Sequence, residues 1–354
     1  MAQRREGFAI PLSIMVIGFL SVSLMAAFAR VDSEYKVTTN RSIMVDAFGL
    51  AQTGLERFVS QRNALGFVTI PPAASESTRI TLTGGYADVI LTVVRDSTSG
   101  LDPVYVVRSR GTTTPPPLTG YLPARHTVAM YYKWQPGSMD VHAGWTSLGG
   151  LTKNGTSGTL TGVDNCGVKP NVAGVAVPNA GWNDNGGGFI PGGSPPVNYM
   201  GTQTQMSNTI DIDWAGIVGG TVLTPTVSIP PSGWPSSFPA NYWPIIYVDQ
   251  VGVFALPNSG RGLLIVRNDM TMSGSLGWDG ILLVGGSLVS NGNNTVSGAV
   301  ISGLNVKLGL TVGVSDFGNG NKTYEYDSCA VKNALRAFGI LVPIANTWID
   351  NWAW

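Results

Sequence analysis

The residues that most constrain this chain are Phe8 to Ala29, FAIPLSIMVIGFLSVSLMAAFA, 22 residues without a charge. At about 1.5 Å of rise per residue, a helix of that length matches the hydrocarbon core of a bilayer. Arg4 and Arg5 precede it, and Arg30, Asp32, Glu34, Lys36 and Arg41 end it abruptly. The helical pattern then continues. Met44, Phe48, Ala51, Leu55 and Phe58 recur at steps of three and four, which puts an apolar stripe on an otherwise polar helix. No Gly or Pro interrupts Arg30 to Phe48, and Gly66 with Pro71 and Pro72 supplies the stop. One helix is therefore expected over residues 8–66, with 8–29 spanning a membrane. A secretory signal would have a shorter apolar core, a small-x-small cleavage site and no helix after it. An ordinary single-pass anchor fits the same residues.

The head MAQRREG, ending in Gly7 and followed by Phe8 and a uniform apolar helix that turns amphipathic, resembles the N-terminus of type IV pilins and type II secretion pseudopilins. RREGFAIPL and DAFGLAQTGLERFV are similar to the PilX-type minor pilins, so the resemblance covers residues 1–62. It implies that 1–7 is a prepilin leader, cut between Gly7 and Phe8 by a prepilin peptidase, and that the Phe8 amine is then methylated. It also implies the partners: other pilin subunits and an inner-membrane pilus assembly platform. The implied location is the bacterial inner membrane as a single-pass protein, then a periplasmic or cell-surface filament that the subunit primes or caps. Family members carry Glu at the fifth mature position, where this chain has Leu12. In the family that acid neutralises the N-terminal ammonium of a neighbouring subunit inside an apolar core. A subunit with Leu12 offers no such pairing, and the K-type minor pseudopilin, a tip component, also lacks the acid. Leu12 is thus the expected filament-assembly residue of an initiating or tip subunit.

After residue 66 the composition changes what can fold. Charged residues make up 12% of the chain and glycines number 46, which favours strands and tight turns over helices. Twenty-one basic and 21 acidic residues give zero formal charge, so bulk electrostatics do not indicate nucleic acid. Arg79 to Arg95 forms two β-rich runs around Gly84-Gly85, a hairpin pattern. Pro103 to Gly111 and Arg125 to Trp134 follow, the latter with Val128, Met130 and Tyr132 on one face. Residues 67–136 are therefore expected to form an antiparallel sheet over the amphipathic half of the helix, an arrangement similar to a pilin head.

Residues 137–254 read as a loop-rich β insertion, rich in Gly, Asn, Pro and Thr, with Trp145, Trp182, Trp214, Trp234 and Trp243 calling for burial. Within it, Thr159 to Pro178 resembles a recurrent PilX-type segment that contains Cys166. Residues 255–313 are periodic: GLLIVRNDMTMSG begins at Gly262, GILLVGGSLVSNG at Gly280 and GAVISGLNVKLG at Gly298, each start 18 residues after the last. A constant step of this length predicts stacked parallel rungs, a short right-handed β-solenoid of about three turns with Leu264, Leu282 and Val300 on one wall. Ordinary hairpins with coincidental glycines are the alternative. In 314–354, Val331, Ala334, Leu335 and Phe338 mark a helix, capped by Asp327 or Ser328, that would close the open edge of the stack. The tail WIDNWAW reads as a core plug ahead of an exposed contact patch. The fold class is α+β.

Cys166 and Cys329 lie far apart in no metal-like spacing, and an oxidising periplasm would pair them; two buried thiols are the alternative. His126 and His142 are the only histidines, and neither has a second His or a Cys at ligand spacing. The Asn/Asp turns at 183–185 and 316–321 lack the regular acidic spacing of a calcium loop. Neither a cofactor, a metal nor catalysis is expected. Three function classes remain, in descending order: a structural minor pilin, a tip adhesin for a surface, polysaccharide or DNA, and a polysaccharide-active solenoid enzyme. The enzyme would need paired carboxylates, whereas residues 262–309 offer only Arg267, Asp269, Asp279 and Lys307, with both Asp residues in turn-like contexts.

Overall fold

The computed structural model describes residues 9–65, 75–96, 102–114 and 122–354. The helix stop expected at Gly66, Pro71 and Pro72 lies outside them. The chain divides into two compact units: Met1–Ala64, Thr69–Lys133 and Leu341–Trp354 form the first, and Leu65–Val68 with Trp134–Ile340 the second.

In the first unit a single helix, α1, runs unbroken over Ala9–Leu65. Its second half is seated by Ala47, Leu50, Ala51, Leu55 and Phe58, all buried. Met44 of the expected stripe is instead 47% exposed, so the seat begins one turn later. The helix packs on strands β1 (Ser75–Leu82), β2 (Gly85–Arg95), β3 (Val104–Thr113) and β4 (Arg125–Gln135). These are antiparallel neighbours in chain order. The expected hairpin forms, but Leu82 pairs with Gly85, so its two-residue turn is Thr83-Gly84, one residue ahead of the Gly84-Gly85 pair, and Gly85 opens β2. On β2, Gly85, Ala87, Val89 and Leu91 alternate inward. Small residues set how closely α1 approaches: a Cβ on Gly54 would lie 2.2 Å from the Ala87 Cβ, and one on Gly111 would lie 2.1 Å from the Ala47 carbonyl oxygen.

The tail corrects an expectation. WIDNWAW does not plug a core. Ile340–Pro343 adds to β4, and so does Ile349–Asp350, where Ile349 pairs with Ala129 and Asp350 with Val128. Without them β4 would be a bare edge, and its unpaired peptide groups favour a strand partner. Pairing turns Trp348 and Trp354 outward, at 41% and 42% exposed, and Trp354 lies 4.2 Å from the Arg110 guanidinium.

The second unit is built from parallel strands. Eight stack in the spatial order 197–199, 173–177, 143–147, 295–302, 277–284, 260–266, 245–248 and 227–229, every neighbouring pair parallel. A second parallel sheet stacks Phe254–Ala255, Met270–Met272, Leu288–Ser290, Ser315–Asp316, Leu151–Lys153 and Trp182–Asp184 in that order. The expected register holds: Leu264 pairs with Leu282 and Leu282 with Val300. The step of 18 also extends one unit further back, where Ile245 pairs with Leu263.

Glycine explains the fixed step. Gly262, Gly280 and Gly298 have φ of 114°, 124° and 143°, and each sits over the carbonyl of the layer before. A Cβ on Gly280 would come 2.4 Å from the Gly262 oxygen. Any side chain there meets both a disfavoured backbone geometry and a backbone atom that cannot rotate away.

Both faces of the longer sheet are covered, so its strands read as continuous apolar runs rather than alternating ones. One face carries Leu264, Leu282 and Val300 against Met270, Leu288 and Phe317. The other carries Leu263, Ile281 and Ala299 against Met206, Trp214, Val331 and Leu335. Those last four belong to or adjoin the helices Gln203–Thr209, Trp214–Val218 and Ser328–Ala334. The helix Ser328–Ala334, capped by Asp327 onto the Ala330 N–H, therefore covers a face and does not close an edge. Beyond 295–302 the stack is continued by 143–147, 173–177 and 197–199, so part of the expected insertion extends the same sheet. Trp145 seals this seam. Its indole N–H donates to Ser302 Oγ at 3.1 Å, and its ring stacks on Tyr324 at 5.1 Å. Of the other tryptophans, Trp214 is fully buried and Trp182, Trp234 and Trp243 are half-buried.

Two buried ammonium groups sit in this interior. Lys153 Nζ donates to the carbonyls of Asn154 and Gly318, and Lys322 Nζ to that of Ser290, with Phe317 facing both at 5.1 and 5.5 Å. Burial pushes the Lys322 pKa down from 10.5 to about 8; the Lys153 charge adds to this and Asp316 opposes it. The unfolded chain takes up this proton near 10.5 and the folded chain only near 8. The group therefore costs stability below that lower value, and the cost fades as pH rises between the two.

Two outcomes follow. Gly280→Ala lowers stability by about 1–3 kcal/mol or more. Gly274→Ala, at φ 83° with nothing within 4 Å of its Cβ, costs less, and thermal unfolding of the two variants separates contact from dihedral strain. For Lys322→Met, the difference in unfolding midpoint from wild type moves in favour of wild type as pH rises from about 8 toward 10.

Candidate functional site

The residues with the clearest functional character belong to the first half of α1. Ile10, Leu12, Met15, Phe19, Leu24, Met25 and Phe28 are all exposed, and nothing in the most apolar 18-residue window of the helix is buried. By length and composition this helix is able to cross a membrane. Leu12 is 57% exposed on it, one turn after the start of the described chain. Gly7 and Phe8, the expected cleavage and methylation residues, lie outside the described residues.

The polar break after Ala29 does not break the helix. Arg30 pairs with Glu34 at 3.2 Å and Asp32 with Lys36 at 2.7 Å, both at i,i+4 spacing on the helix surface. Such exposed pairs contribute only about 0.3–0.5 kcal/mol each, but they favour the helical turn where no tertiary contact does. The bare apolar half thus continues without interruption into the seated half.

Cys166 and Cys329 are joined in a disulfide, with Cα atoms 5.7 Å apart. It ties the loop after Thr159–Thr161 to the first turn of the helix Ser328–Ala334. Asp164 organises the same junction: it accepts from the N–H and hydroxyl of Ser328, each at 2.8 Å, and from the N–H groups of Lys169 and Val168 at 2.8 and 2.9 Å. Burial opposes the charge on Asp164, yet these hydrogen bonds outweigh it and hold the pKa below the ordinary carboxylate value.

The residues weighed as metal or catalytic candidates take the following places in the fold. Among the described residues the one cluster with ligand-type atoms is Cys166, Asp327 and Cys329, and a disulfide offers no thiolate. Asp184 accepts from the N–H groups of Gly186, Gly187 and Phe189, and Asp316 from that of Gly318, so both Asn/Asp turns close on themselves. Asp269, expected in a turn, sits just before the strand Met270–Met272 and accepts from the N–H and hydroxyl of Ser287, 18 residues on in the next layer. Asp279 differs. It lies inside the strand Gly277–Val284, not in a turn, and faces Arg261 at 3.9 Å. His126 bonds Asp350 at 2.6 Å and meets the Phe48 ring edge-on.

The depressed pKa of Asp164 has a testable sign. Its contribution is present above the unfolded carboxylate value and is lost as pH falls through the folded one. Asp164→Asn is therefore destabilised at neutral pH and converges on wild type in acid, read from unfolding midpoints at pH 7 and pH 3. Neither a protein-family model, a curated protein nor a solved structure matches this chain.

Proposed function

We propose that this chain is a minor pilin-like structural subunit that primes or caps a type IV pilus or a related filament, with a large outward head. The division of α1 carries the reading. Its second half packs on its own sheet, whereas its first half presents a continuous apolar surface that no described residue covers. Such a helix needs a second apolar environment. Lipid supplies one before assembly, and the helices of neighbouring subunits supply another afterwards. The antiparallel sheet on the helix and the disulfide in the head support an envelope protein that matures in an oxidising compartment. We read the two parallel sheets of the second unit, with their step of 18 residues and shared core, as a short β-solenoid that displays a rigid surface.

In this reading the peptidase cuts after Gly7 and leaves the Phe8 amine to be methylated. That ammonium is carried into an apolar bundle, where an unpaired charge costs several kcal/mol. Leu12 cannot neutralise the amine of a subunit ahead of it, while Phe8 still presents its own amine to the next carboxylate. The first position, at the tip, is the one where no amine awaits it.

Two measurements test this. The mature chain is expected to begin at methylated Phe8 by intact mass; a chain cut near Ala26–Ala29, or left whole, overturns the reading. An antibody to the head is expected to label filaments at one end and at low copy. Labelling along the whole shaft at major-subunit abundance refutes the tip assignment.

A further inference from the structure

Just ahead of the glycine column, the parallel register lines up a second row of side chains. Arg261 pairs with Asp279, Asp279 with Ser297, and Ser297 with Glu325. At one end of this row Arg261 and Asp279 line a cavity of about 330 Å³, together with Ser236, Ser237, Phe238 and Asn258. Its aromatic wall is fixed from behind: Phe238 packs edge-on against buried Trp278 and at a tilt against Trp234, with ring centres 6.0 Å apart in each case. Gly260 and Gly277, which also line the cavity, put no side chain over that wall.

The polar groups around the cavity keep free hydrogen-bonding capacity. Arg261 donates to the Ala240 carbonyl at 3.3 Å and lies 5.5 Å from the Trp243 ring centre, which orients its guanidinium. Its approach to Asp279, at 3.9 Å, is an ion pair but too long for a hydrogen bond. Asp279 and the side chains of Ser236, Ser237 and Asn258 make no hydrogen bond among the described residues. A guanidinium, a carboxylate, two hydroxyls and an amide thus converge on one aromatic-walled space and leave their capacity for an outside partner.

That pattern suits a sugar ring. Of two vicinal hydroxyls, one donates to a carboxylate while the other accepts from a guanidinium, and the C–H face of the ring rests on an aromatic side chain. The charge selects which sugars. Arg261 and Asp279 offset one another, and Glu325 and Asp327 further along add only negative charge, which opposes uronic or other acidic units and nucleic acid phosphates. The volume lies near the lower end of the roughly 300–1,000 Å³ range of ligand cavities, which fits a single unit of a longer chain. We propose that this cavity binds one unit of a neutral polysaccharide. The proposal stands apart from the filament reading, because it needs only the surface of the second unit.

The test uses the full-length protein in a polyoxyethylene detergent, which carries no sugar. Saturation-transfer NMR is run against neutral oligosaccharides (maltopentaose, cellopentaose, chitotetraose and mannotetraose) with tetragalacturonate as the acidic comparator. At least one neutral oligosaccharide is expected to bind, and tetragalacturonate is not. Asp279→Asn and Arg261→Met each weaken the binding by roughly tenfold or more, the loss of a charge-assisted hydrogen bond. Ser237→Trp, on an exposed loop where it leaves the fold intact, fills the cavity and abolishes binding at an unchanged unfolding temperature. No binding by any neutral member, binding of tetragalacturonate alone, or neutral binding that survives Ser237→Trp would each overturn the proposal.

Discussion

Close backbone contact between layers is the constraint on which the second unit depends. Where Gly280 rests on the Gly262 carbonyl and Gly298 on that of Gly280, no side chain fits, so the glycines can only sit above one another. A slip of one residue would place Asp279 or Ile281 at a point of backbone contact and would also exchange the two buried faces of the sheet. One contact, repeated at 18-residue intervals, thereby fixes the register of strands 260–266, 277–284 and 295–302, and Met270 pairs with Leu288 at the same step in the second sheet. It also fixes the alignment of Arg261 with Asp279, one residue ahead of the column.

What was legible in the sequence is what repeats or runs long. The apolar stretch of α1 and the three glycine-led units each present one pattern over many residues. The fourth unit, Ile245–Val248, escaped because Pro244 stands where the others have glycine, although it keeps the same step. Strands 143–147, 173–177 and 197–199 escaped for a different reason. They are three to five residues long, and their offsets follow loops of unequal length, so no period marks them. Composition alone misled at the tail: three tryptophans argue for burial, yet the bare edge of β4 set their orientation. It misled at Asp279 as well, since W-D-G looks like a turn but lies within a strand. Leu12 was legible only as a residue type; its exposure adds that no described residue covers the surface around it.

A chain with few charges nevertheless buries two lysines near one phenylalanine. Lys153 and Lys322 are held by backbone carbonyls rather than by carboxylates in direct contact. Asn154 and Gly318 follow short strands of the second sheet and Ser290 is the last residue of another, so these carbonyls lie at or just past strand ends. The ammonium groups donate to them, and the lowered pKa of Lys322 records what that arrangement costs.

The seam at Trp145 inverts the order of synthesis. Residues 143–199 leave the ribosome well before Thr295–Ser302, yet the stack sets them on top of that later strand. They can pair with one another early, but they cannot join the rest of the stack until Thr295–Ser302 exists. The disulfide across a separation of 163 residues shares this dependence, for Cys166 waits on the helix that begins at Ser328. Non-local pairing of this kind slows folding and leaves strand edges open in the interim. The periodic strands 260–302 can assemble on their nearest neighbours first, so the earliest-made part of the head is the last to become part of it.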